Sequence, residues 1–219
     1  RAGSNGVSNN YGVVRLNADG SLDTTFNTPT SLDGKANYLI GRAAVALDQQ
    51  VTFSDPQLSV LNNGAGNYSG ARLVLQRNGG ANANDRFSGL GNLSLETPAT
   101  SAQPGRVVLG STSSTSNSLH IGSWSQSGGK LELLFNNNAT QSALNEAASS
   151  IGYQFLDNTP PAGPIQIRWD FFDGNTGSQG LGGELSVSGT TEVSIAFPPD
   201  DNDSSVIPVS YTHLTLPTT

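Results

Sequence analysis

From about Gly41 onward, apolar side chains recur in short, evenly spaced runs: Ala43 to Leu47, Val51 to Phe53, Ala71 to Gln76, Arg106 to Leu109, Leu119 to Trp124, Lys130 to Phe135, Ile165 to Phe172 and Glu184 to Phe197. Gly, Asn, Pro and Ser fill the gaps. Short strands separated by turn residues predict an all-β, antiparallel sandwich or barrel. The clearest alternation places Ile165, Ile167, Trp169 and Phe171 on one face of a strand, with Gln166, Arg168 and Asp170 on the other. The apolar set is expected in the core. One segment changes period. Leu144, Ala147, Ala148 and Ile151 recur at helical spacing before Gly152, and Asn138 to Gln141 reads as an N-cap with its box partner. One short helix near residues 139–151 is predicted. Tyr153 to Leu156 then resumes a strand, which Pro160 and Pro161 end because proline cannot donate to a ladder.

The pattern divides the chain into four parts. Residues 1–36 read as turns around one short strand, Tyr11 to Leu16, followed by an Asp19-Gly20 hairpin signal. They are expected to be a partial upstream repeat or a linker. Asn17, Asp19, Ser21 and Asp23 mimic the odd-numbered ligands of a calcium loop. The glycine falls too early, however, and Thr28 stands where a bidentate Glu is required, so a turn is the better reading. Residues 37–197 carry the strand texture and are expected to be one β-sandwich domain. Residues 198–209 contain Pro198-Pro199-Asp200-Asp201-Asn202-Asp203 and read as a stiff acidic linker between domains. Residues 210–219 lack the preceding texture and read as a non-native tail.

Composition removes several kinds of chemistry. The 219 residues include no Cys and no Met, and His120 and His213 are the two histidines. Disulfides, thiolate metal sites and cysteine nucleophiles are therefore excluded, and zinc and haem are disfavoured. A formal charge of −7 argues against nucleic acid, whose binding rests on basic residues displacing counterions. No apolar run approaches the ~20 residues a membrane-spanning helix needs. A serine-nucleophile elbow is missing, and His120 sits in the alternating Leu119-His120-Ile121, which suits a surface-facing strand position. Asp170 and Asp173 make a carboxylate pair by number only. The expectation is a protein without enzymatic activity.

What remains is oxygen chemistry. Twelve of the seventeen acidic residues are Asp, and several sit in turn-like contexts: Phe53-Ser54-Asp55-Pro56, Asp170 to Asn175 and Asp200 to Asp203. Calcium takes six to eight hard oxygen ligands in flexible geometry, which loops can supply. Asp is also a good turn former, and that reading stands beside the first. The candidate calcium donors are Asp55, Asp173, Asn175, Asp201 and Asp203. Trp124 is the candidate platform for a sugar ring, since an exposed aromatic face can stack on one.

Taken in order, Val51 to Leu58, Gly66 to Ala71, Arg77 to Phe87, Ile151-Gly152-Tyr153, Asn158 to Pro161, Trp169 to Asn175 and Gly182-Gly183 resemble the cadherin-like repeat of large bacterial surface adhesins, over residues 43–197. The resemblance implies a calcium-associated, Greek-key β-sandwich (cadherin/Ig-like) used as one link of an extracellular rod. Its implied partners are neighbouring repeats of the same polypeptide and a cell-surface glycan or protein. Two features depart from the pattern: Gln57 stands where an acidic residue is common, and the linker is longer and more acidic than usual. Arg15 to Phe26 resembles a short propeller-type repeat of secreted bacterial proteins, and one copy cannot close a propeller. Two functions are expected to compete: a calcium-associated structural or adhesive module at the cell surface, and a carbohydrate-binding sandwich of a secreted polysaccharide-degrading protein.

Overall fold

Alternation of buried and exposed positions builds most of the molecule. The computed structural model describes residues 32, 34–97, 104–110, 118–177 and 183–199. Its strands are β1 (Lys35–Leu39), β2 (Val45–Ala46), β3 (Arg72–Arg77), β4 (Asp85–Gly89), β5 (Leu93–Glu96), β6 (Gly105–Leu109), β7 (Leu119–Ser127), β8 (Lys130–Phe135), β9 (Ile151–Phe155), β10 (Ile165–Phe172) and β11 (Ser186–Ala196). The α-helices among the described residues are α1 (Pro56–Ser59) and α2 (Gln141–Ser149), and a short 3-10 turn covers Asn62–Gly64.

The strands form two sheets, one of eight strands in the order β1-β11-β10-β3-β8-β7-β6-β5 and one of three in the order β2-β9-β4. The fold is an all-β sandwich. Strands β5 to β8 run as a meander whose last strand lies beside β3. The chain therefore leaves β3, crosses through the small sheet and returns from the far edge, which is a Greek-key path. Every pairing is antiparallel except that of β1 with β11, which is parallel.

Strand β10 obeys its sequence pattern: Ile165, Ile167, Trp169 and Phe171 are all buried. They join Leu73, Leu75, Leu131 and Leu133 of the large sheet, Phe87, Ile151 and Tyr153 of the small one, and Ala143, Leu144, Ala147 and Ala148 of α2 in one core. Burying each large side chain contributes on the order of 1.5–3 kcal/mol. The two sheets also share a polar clasp. Arg77 of β3 grips the buried Asp85 of β4 through Nε at 2.9 Å and a second nitrogen at 2.6 Å, and the Tyr153 hydroxyl of β9 donates to the same carboxylate at 2.6 Å. Burial comes first among the causes that raise the Tyr153 phenol, and the Asp85 carboxylate adds to it.

Several expectations shift in detail. Helix α2 is capped by Thr140, whose side chain accepts from the Ala143 amide at 3.2 Å. Asn138 is not the cap, because α2 begins at Gln141, three residues beyond it; its side-chain amide donates to the His120 carbonyl at 2.9 Å. Val51 to Phe53 is not a strand; the Phe53 amide donates to Asn145 of α2 at 2.7 Å instead of to a ladder. Strand β1 begins at Lys35, ahead of the expected domain start at residue 37. His120 is half-buried in β7, and its Nε2 donates to the Gly122 carbonyl at 2.8 Å.

Candidate cation site

The loop that leaves β10 turns back at once. Asp173 makes this turn by accepting, through Oδ1, the amides of Asn175 at 3.0 Å and Leu185 at 2.9 Å, while its own amide donates to the Leu185 carbonyl at 3.0 Å. Asn175 repeats the device one step on, accepting the Gly177 amide at 2.8 Å. Between them Gly174 has φ +69°, and a side chain there would collide with the backbone of Gly70. The loop therefore lies directly on the turn that precedes β3. Only glycine permits that approach.

Asp55 arrives from the other side. It caps α1 by accepting the amides of Gln57 at 2.7 Å and Leu58 at 3.0 Å through Oδ1. Short polar side chains are favoured at this position because they satisfy amides the helix cannot. The Asp55 amide donates to the hydroxyl of the buried Tyr68 at 3.0 Å, which also pairs with the Ser59 hydroxyl at 2.9 Å. Burial is the first cause raising the Tyr68 phenol. Beneath, Phe53 stacks on Phe171 with ring centres 4.6 Å apart, and Tyr68 tilts against Phe171 at 6.4 Å. These aromatics fix the two loops on one floor.

Ser54, Asp55, Phe171, Asp173, Leu185, Ser186 and Val187 line a pocket of about 10 Å³, the scale of one water-sized body. Asp173 is 3 % exposed, and its Oδ2 finds no hydrogen-bond partner among the described residues. A buried acceptor left unmatched costs about 1–3 kcal/mol, more if charged. Burial pushes the Asp173 carboxyl above its ordinary value; the amides of Asn175 and Leu185 oppose that, and the charges of Asp55 and Glu184 reinforce it. A cation in the pocket would match Oδ2 and relieve the repulsion from Asp55.

The donor set fits a hard cation in part. Two carboxylates and two serines border the pocket, and calcium accepts carboxylate, hydroxyl or carbonyl, and water oxygens together. Among the described residues no group of three or more His, Cys, Asp or Glu side chains gathers as a metal cage. A bound ion would thus keep much of its water.

Of the predicted donors, Asp55 and Asp173 come together at this pocket, whereas Asn175 is buried beside it and engaged in its own turn. Asp201 and Asp203 lie outside the described residues. Sequence reasoning missed Ser54, Ser186 and the organising Tyr68. Trp124 lies on the inner face of β7, half-buried against the core. Its indole crosses Gly105 of β6, where any side chain would collide with it, and donates to the Glu96 carbonyl at 2.8 Å.

Residues 2–26 match a family described as a domain of unknown function (DUF5122) beta-propeller, in agreement with the propeller-type resemblance of that segment, which lies outside the described residues. No curated protein and no solved structure matches the chain. Among the described residues no helix is long and apolar enough to cross a membrane.

Proposed function

We propose that this chain is a calcium-associated structural and adhesive module of a large bacterial extracellular or cell-surface protein, with its sandwich serving as a cadherin-like link between neighbouring modules. The observation that carries the reading is the unpartnered, buried Oδ2 of Asp173 in a pocket that Asp55 also lines. Structures rarely leave such an atom unmatched unless an ion, a water or a proton completes it. The propeller-type match at residues 2–26 supports a multidomain parent. The residues that would hold calcium are Asp173 and Asp55, with Ser54 and Ser186 at the rim. The ion would supply charge neutralisation and a tie between the α1 cap and the β10–β11 loop.

The experiment is thermal unfolding in chelator, in millimolar calcium and in millimolar magnesium. Binding to the folded state alone stabilises by about 2.7 kcal/mol at a hundredfold excess over Kd. A calcium-specific rise in Tm that disappears in Asp173→Asn supports the site. Equal curves in all three conditions would remove calcium from the account and leave a plain β-sandwich spacer.

A further inference from the structure

We propose that β1 and β11 form a mechanical clamp, which lets the module carry tension between the segments on either side of it. The parallel pairing is the starting point. Lys35 to Leu39 run beside Glu192 to Ala196 in register, pointing the same way. Upstream, Leu32 is seated over Gly189, three residues before Glu192, the partner of Lys35, so Leu32 and β1 lie along β11 in one direction. β11 starts at Ser186, on the rim of the Asp173 pocket, and finishes at Ala196. The chain accordingly enters along β11 from the Asp173 end and leaves at the opposite end.

Tension applied through those two connections pulls β1 back toward the Asp173 end and β11 away from it. Two adjacent parallel strands are then drawn in opposite directions along their own axes. Parallel ladders have evenly spaced bonds, so this load falls on all of them together, and they must yield as a set. Pulled apart from one end, the same bonds would break one after another.

The fastenings run the length of the pair. The Glu192 amide donates to the Gly34 carbonyl at 3.3 Å near one end, and the Ile40 amide donates to the Ala196 carbonyl at 2.9 Å at the other. On the outer face Lys35 pairs with Glu192 at 3.4 Å. On the inner face Ala36, Tyr38 and Ile40 are buried with Val193 and Ile195. β11 is itself anchored, since it pairs with β10 from Ser186 to Val193. Sliding β1 would drag buried side chains through a packed core as well as break the ladder.

The use of the clamp rests on the reading of the chain as a link between modules, but its resistance to force does not, so the two can fail separately. Single-molecule pulling on the full chain tests it, with two geometries compared at one loading rate. In the first, the chain is held at its two ends. In the second, it is held at its C-terminal end and at a thiol introduced by Arg42→Cys, which is unique because the chain has no cysteine. Arg42 is exposed, lies just past β1 and sits at the same end as Ala196, so this geometry peels β1 from β11. Forced unfolding reads the unfolding barrier directly. The clamp requires an end-to-end unfolding force several-fold above the peeling force, in chelator as well as in calcium. An end-to-end force equal to or below the peeling force overturns it, whatever calcium does to Tm.

Discussion

Asp173 combines two opposing demands in one side chain: Oδ1 satisfies two amides that shape the loop, while Oδ2 is buried without a partner. Replacing it by Ala would remove both features at once, so Asp173→Asn is the cleaner probe, retaining an oxygen acceptor and discarding the charge. The raised carboxyl fixes the sign of the pH dependence. A group whose folded pKa exceeds its unfolded one contributes stability below the ordinary carboxylate range and loses it as pH rises through the folded value. In chelator, wild-type Tm should therefore fall over that interval relative to Asp173→Asn, and parallel Tm–pH profiles would rule out the buried charge as the cause. Gly174 gives a second residue-scale prediction. Gly174→Ala places a Cβ against Gly70 at φ +69° and should cost at least the ~1 kcal/mol of an unfavourable left-handed residue, visible in the urea midpoint.

Elements show why some of the sandwich was readable and some was not. Strand β10 was legible because its alternation is unbroken, and α2 because Leu144, Ala147 and Ala148 keep a helical period, although Ile151, read as the next helical position, opens β9. Strand β4 was hidden by Asp85, a charge at a buried position, which reads as a turn until Arg77 and Tyr153 are seen to hold it. β1 offers only Ala36 and Tyr38 as buried positions within the strand, too weak a signal to separate from the preceding turns. At the site, Asp55 and Asp173 were legible as turn aspartates. Their convergence was not, because it depends on the Tyr68 hydroxyl and the Gly70–Gly174 contact, which join segments far apart in sequence. The clasp yields its own prediction. Arg77→Met strands the Asp85 carboxylate in the interior and should cost roughly 3–5 kcal/mol, whereas Tyr153→Phe removes one hydrogen bond to it and should cost about 1–3 kcal/mol. Chemical denaturation of both variants checks the order, and a Tyr153→Phe loss larger than that of Arg77→Met would contradict it.

For the whole molecule, the pocket and the clamp share one geometry. The Asp173 loop stands at the end where Leu32 and β1 begin, and β11 finishes with Ala196 at the other end. A cation at Asp173 would stiffen the entry end of the link, while β1 and β11 join that end to the exit. The segment matching a propeller family precedes β1 in the sequence. The most direct measurement is the melting temperature of the full chain in chelator against millimolar calcium, with magnesium and Asp173→Asn as controls. The account predicts a calcium-specific rise of roughly 5–10 °C for a domain of this size, absent in the variant. An unchanged Tm, or a rise that persists in Asp173→Asn, would contradict it.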